Sequence, residues 1–318
     1  MTNMEKSAHT VVKECLQIKK DEVVLVICDE PQLEKAELLY KAAYMRSKNI
    51  QLLQIPRSQL EKGDLPGVVQ EYMQRMDVII AITSLSISHT AGRRAACKRG
   101  ARCISMPDIT DQTFSRLSRT DYQKISRLSL KIKDILTIGK EARLSAPNGT
   151  ELYISIKDRQ GYADIGLVHE SGKFSNLPAG EAAIAPEELG CEGTLVVDSG
   201  MGILPQDREP LYISIKNGRA VRIAGGNSAK RLSRHLSRFG KNSRLVAEFG
   251  IGTNSSAKLC GYSLEDEKVL GTAHVALGNN ISFGGSNDVP VHLDGVIYKA
   301  TVMIDGKNIL KNGKWVLG

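Results

Sequence analysis

Through the first 140 residues, short apolar runs alternate with stretches whose apolar residues recur at helical spacing. Val23–Cys28 reads VVLVIC, with no polar break, as a strand covered on both faces requires. The same reasoning predicts strands at Ile50–Ile55, Asp77–Ile82 and Arg102–Met106. Helices are predicted over 8–19, 31–46, 66–75 and 90–99, the first with Val11, Val12, Cys15 and Leu16 on one side. Strands alternating with helices form βαβ units and a mainly parallel sheet. Ligands of such sheets bind past the carboxyl ends of the strands. The loop TSLSISHT after the third strand carries His89 at a helix start, where a site residue is expected.

From about residue 144 the pattern changes. Helical periodicity mostly stops, and short strands separated by Gly, Asn and Asp take over. The hexapeptide LYISIK occurs twice, at Leu152–Lys157 and Leu211–Lys216, and its alternation predicts a strand with one buried face. Asn217-Gly218, Asp305-Gly306 and Asn312-Gly313 are hairpin-turn pairs. One helix is expected near 228–239. The predicted fold class is α/β: a mainly parallel α/β domain over 1–143, then a β-rich α+β domain over 144–318.

Composition narrows the function classes. The chain has 318 residues, 42% of them apolar and 25% charged, as in soluble globular proteins. No run reaches the roughly 18 apolar residues of a membrane span. The N-terminal stretch has no apolar signal-peptide core, so a cytoplasmic protein that does not engage membranes is expected. Six cysteines are scattered without a C-x-x-C pair, against a disulfide framework or a cysteine-based zinc site. No G-x-G-x-x-G follows the first strand, and no P-loop is present, which disfavours dinucleotide and nucleotide binding. Net charge is +8, with basic clusters at 93–102, 116–143 and 230–244. They admit a polyanion- or nucleic-acid-binding reading. However, no aromatic residues interleave them as a base-stacking platform, and Leu232, Leu236 and Phe239 in the third have the spacing of an amphipathic helix. Nucleic acid is not the expected partner.

The candidate chemistry lies in 264–298, LEDEKVLGTAHVALGNNISFGGSNDVPVHLDGVIY, where His274 and His292 bracket a Gly/Asn/Ser loop. Asp294 lies two residues after His292, and residues i and i+2 of a strand point to one side. Two imidazoles and a carboxylate are a usual ligand set for Zn, Mn or Fe(II). Glu181 follows a Pro-x-Gly turn, and Glu248 is flanked by apolar residues, where an unpaired carboxylate is costly. With His274, His292 and Asp294 they would suffice for a two-metal site. Spacing alone leaves open whether each is a ligand or an ordinary core or strand-end residue.

Four segments in order, NLPAGEAAIAP (176–186), AEFGIGTN (247–254), AHVALG (273–278) and HLDG (292–295), resemble the M29 family of metallo-aminopeptidases. The resemblance implies that Glu181, Glu248, His274, His292 and Asp294 bind metal, with Glu248 as the bridge of a two-metal centre. One or two Zn, Co or Mn ions, a small peptide or other small-molecule substrate, and a homodimer are expected. The family's tyrosine seven residues after the first histidine is Ile281 here, and the histidines are closer together. A short branch of the same fold, the 2,5-dihydroxypyridine dioxygenases, uses one Fe(II) held by His, His and Asp, and places a first-domain histidine near the substrate. In that reading His274, His292 and Asp294 form a facial triad and His89 approaches the substrate. The leading expectation is a metal-dependent aminopeptidase-type hydrolase, with metal-activated water and Glu181 handling the proton. A mononuclear Fe(II) ring-cleaving dioxygenase is the alternative.

Overall fold

A computed structural model describes residues 1–318 apart from 62, 63, 89, 203, 205, 206, 208, 317 and 318. The chain divides into two compact units. The first comprises Met1–Tyr122 and Ile165–Ala179, the second Gln123–Asp164 and Gly180–Gly318. The expected division at 143/144 therefore falls inside the second unit. The difference traces to a 17-residue helix, Tyr122–Ile138, that the sequence reading registers only as a basic cluster. Its Ile132 and Leu136 belong to the second unit's core.

In the first unit, strands Ile50–Gln54, Val24–Cys28, Val78–Ile82, Arg102–Ser105 and Phe174–Asn176 lie in that order. All pairs are parallel. Val24–Cys28 and Val78–Ile82 are buried at every position, as unbroken apolar runs require. The first helix starts earlier than its apolar stripe, at Asn3, and continues into a π turn at Val11–Cys15. Thr2 and Glu5 form a capping box that fixes this start. Two arginines of the first basic cluster are structural. Arg93 is buried, donates to the Ser88 carbonyl and stacks 4.4 Å over the Phe174 ring. Arg102 is buried against Glu22 at 2.7 Å.

The second unit holds two antiparallel sheets. The larger runs Arg219–Ala224, Leu211–Lys216, Cys191–Val197, Glu151–Ser155, Glu141–Ser145, Thr301–Ile304, Lys307–Lys311, Lys314–Trp315. The strands of the two LYISIK copies flank the same strand, Cys191–Val197. The three hairpin pairs all turn with positive φ at both residues: Asn217 48° and Gly218 67°, Asp305 47° and Gly306 78°, Asn312 48° and Gly313 75°. That is the type I′ signature. The smaller sheet runs His292–Ile297, Ala273–Gly278, Val246–Gly252, Glu181–Ile184, Tyr162–Asp164. One apolar core joins the sheets, with Leu152, Leu195 and Ile213 from the larger and Phe249, Val275 and Ile297 from the smaller. Helix Gly226–Ser237 adds Leu232 and Leu236. Among the described residues no helix is long and apolar enough to cross a membrane.

Candidate metal centre

The middle strand of the smaller sheet, Val246–Gly252, is buried at every position. It therefore carries Glu248 into the interior, where a carboxylate needs partners. On one side Gly250 pairs with His274; on the other it pairs with Ala183, two residues beyond Glu181. Ala276 pairs with Asp294 and Gly278 with His292. The five residues singled out from the sequence thus come from four adjacent strands.

Gly250 makes the crossing possible. A Cβ there would lie 2.0 Å from His274 Nε2 and 2.3 Å from Cε1. Without it, the imidazole lies over Gly250 and reaches Glu181 Oε2 at 3.2 Å. Gly250→Ala is expected to cost about 1–3 kcal/mol, the usual range for overpacking, and to push His274 off its partners. Denaturant unfolding of the metal-free variant measures this; wild-type stability would show that the ring has room to move.

His274 Nε2 also lies 3.4 Å from Glu248 Oε1. The other oxygen of Glu248 lies 3.0 Å from His292 Nε2, which is 3.3 Å from Asp294 Oδ1. Beyond Glu181 the row continues into Lys268, only 1% exposed, whose Nζ lies 2.6 Å from Glu181 Oε1 and 2.8 Å from Glu267 Oε1. Acids and bases alternate along it: Asp294, His292, Glu248, His274, Glu181, Lys268.

This alternation sets the protonation states of the metal-free centre. Burial opposes charge on His274, but the hydrogen bond to Glu248 and the Glu181 carboxylate outweigh it and hold the imidazole at about 9. Burial likewise opposes charge on His292, where Asp294 and Glu248 hold the imidazole well above its ordinary range. Burial would raise Glu248, yet the hydrogen bonds from His274 and His292 pull it down to about 2. Glu267 is pushed up to about 8 by burial, against the pull of Lys268.

The sequence reading missed Lys268, Glu267 and Asp164. The run Glu265-Asp266-Glu267-Lys268 has the composition of a solvated face, yet all four residues are buried. The folded chain offers an explanation in Asp266, which accepts from Cys260 N, Gly261 N, Ser199 Oγ and Tyr298 Oη and so ties the turn inward. Ile281 stands in a short 3-10 turn, Ile281–Phe283. From that turn the Phe283 ring lies 5.7 Å from the His292 ring and meets Tyr162 edge-on. His89 lies outside the described residues.

The donors fit a divalent ion. His292 Nδ1 donates to the Asn279 carbonyl at 2.8 Å, which turns Nε2 toward Glu248 and Asp294. Orientation of a ligating imidazole by a carbonyl is the common outer-shell arrangement. His274 Nδ1 is buried without a hydrogen-bond partner, so Nε2 is the nitrogen that makes this residue's polar contacts. Among the described residues two groups have donor atoms within 4.8 Å of one another: Glu181, Glu248 and His274, and Glu248, His292 and Asp294. Glu248 is common to both. The expected triad of His274, His292 and Asp294 spans the two groups.

A parallel α/β unit, an antiparallel unit and a buried imidazole–carboxylate centre define a metal-site enzyme of the two-domain α/β class. The family model described as NicX, 2,5-dihydroxypyridine 5,6-dioxygenase, matches residues 4–317, and the chain belongs to that family. A 2,5-dihydroxypyridine 5,6-dioxygenase of Pseudomonas putida KT2440 is 22% identical over 257 residues, 77% of this chain and 72% of that one. The solved 2,5-dihydroxypyridine dioxygenase of the same strain superposes with a TM-score of 0.82 at 18% identity, covering 100% of this chain and 99% of that one. AmpT from Thermus thermophilus superposes with a TM-score of 0.75 at 16% identity, covering 99% of each chain. The M29 resemblance is thus a likeness of fold. The family match favours the dioxygenase alternative over the leading hydrolase expectation.

Proposed function

We propose that the chain is an Fe(II)-dependent dioxygenase that opens a dihydroxylated pyridine ring, with His274, His292 and Asp294 holding the ion. The observation that carries the reading is the convergence of two imidazoles and Asp294 around Glu248, in a chain matched by the dioxygenase family over almost its whole length. When bound, a ferrous ion supplies the one-electron chemistry that lets O2 react with an aromatic ring. The chain's own residues do the rest. The Asn279 carbonyl fixes the His292 ring, and Glu248 bridges the two imidazoles. Phe283 and Tyr162 set aromatic surface beside His292. Ile281 offers no donor to an oxyanion of peptide hydrolysis, a loss worth about 10²–10³ in rate where such donors act. That absence favours ring cleavage over peptide hydrolysis.

The test is oxygen uptake by anaerobically iron-loaded protein given 2,5-dihydroxypyridine. Loss of the ring's ultraviolet absorbance with matching O2 consumption is expected. No uptake by fully loaded protein, together with cleavage of leucyl anilides by the Zn-, Co- or Mn-loaded form, would restore the hydrolase reading.

A further inference from the structure

Lys268 is a buried cation at the Glu181 end of the row. Its Nζ has three carboxylates around it: Glu181 at 2.6 Å, Glu267 at 2.8 Å and Asp164 at 3.9 Å. Its backbone is held as well, since Lys268 N donates to Glu265 O and Asn254 N donates to Lys268 O. A side chain so enclosed has no route by which to swing its ammonium into water. Glu181 is one of three donors in the group Glu181, Glu248 and His274. One of its oxygens is on Lys268 and the other on His274. An ion bound by Glu181 would sit beside an ammonium that cannot leave, and like charges at that separation repel strongly inside a protein. By contrast, among the described residues Glu248 pairs with His274 and His292, and Asp294 pairs with His292.

We infer that Lys268 is a tethered cation standing in for a second metal ion, and that it fixes the centre at one divalent ion. Lys268 is then a positioning residue. It neutralises Glu181 and leaves the second imidazole, His274, to serve the single ion on the His292 side. Removing its charge while keeping its bulk reopens the Glu181 group to metal. This rests on the single-ion half of the proposed function and not on the identity of the ring.

The experiment counts Mn(II) bound at saturation by the full-length metal-free protein, with the electron paramagnetic resonance spectrum as second readout. Wild-type protein and Lys268→Arg are expected to take one Mn(II) with the spectrum of an isolated ion. Lys268→Met is expected to take two, with the broadening of a coupled pair. If Lys268→Met fails to fold, Lys268→Met combined with Glu267→Gln, which removes a carboxylate along with the cation, carries the same count. Two ions in wild-type protein, or one in a folded variant lacking the ammonium, overturns the inference. Oxygen uptake is scored separately. One Mn(II) without ring cleavage by the iron-loaded protein removes the proposed function and leaves Lys268's role standing. Two Mn(II) in wild type removes that role whatever the oxygen assay gives.

Discussion

His292→Ala is expected to lower metal affinity by more than about 100-fold, since altering a group that merely orients a ligand already costs about 10–100-fold. The His292 imidazole is in contact with both Glu248, at 3.0 Å, and Asp294, at 3.3 Å. Its loss removes a nitrogen donor and leaves two carboxylates facing each other across the space it filled. Glu248 is buried and keeps the 3.4 Å contact to His274, so the metal-free variant also loses stability, by less than the about 3–5 kcal/mol that leaving a buried charge wholly unpaired costs. Both effects are measurable on one preparation, by anaerobic metal titration and by denaturant unfolding. Full occupancy at wild-type affinity in His292→Ala would remove His292 from the ligand set.

Metal affinity is expected to climb steeply with pH. Ligating imidazoles must be unprotonated, whereas the carboxylates hold His274 at about 9 and His292 well above the ordinary 6.5. Each displaced proton makes affinity rise about tenfold per pH unit below the group's pKa. Two imidazoles give up to about 100-fold per unit as pH rises toward 9. The stability of the metal-free protein runs differently. His274 is raised, so its contribution is fully present below pH 6.5 and is lost as pH rises through about 9. Glu248 is lowered from 4.5 to about 2, so its contribution is present above pH 4.5 and is lost as pH falls toward 2. These two groups together therefore stabilise the metal-free protein most between about pH 4.5 and 6.5, where both imidazoles still hold their protons and metal binds weakly. Calorimetric titrations in buffers of different ionisation heat count the protons released. An affinity flat from pH 6 to 9 would contradict the arrangement.

Features with a short-range cause were legible in the sequence. VVLVIC announces a doubly covered strand, and the Asn-Gly and Asp-Gly pairs announce tight turns, because both depend on neighbouring residues only. The His292-x-Asp294 spacing similarly placed two side chains at one point, now 3.3 Å apart. Helix Tyr122–Ile138 was not legible. Its buried positions Ile125, Ser129, Ile132 and Leu136 keep helical spacing, but Ser129 breaks the apolar stripe and basic residues fill the rest. Ser129 is inside because its hydroxyl bonds Thr253, 124 positions away. The return of Ile165–Ala179 to the first unit rests on an equally distant pairing of Phe174–Asn176 with Arg102–Ser105. The choice between hydrolase and dioxygenase was illegible because both readings draw on the same imidazoles and carboxylates. What bears on the number of ions is Lys268, concealed within a charged tetrapeptide.

The alternating row of acids and bases has an electrical consequence. Where one divalent ion displaces both imidazolium protons, as proposed, the centre carries the same net charge empty and loaded. Uptake is then an electroneutral exchange, invisible to the field outside the unit. Ionic strength acts on changes of exposed charge, and here there is none to act on. At fixed pH, salt should hardly move the affinity for the ion, while acid, which supplies the other half of the exchange, unloads it.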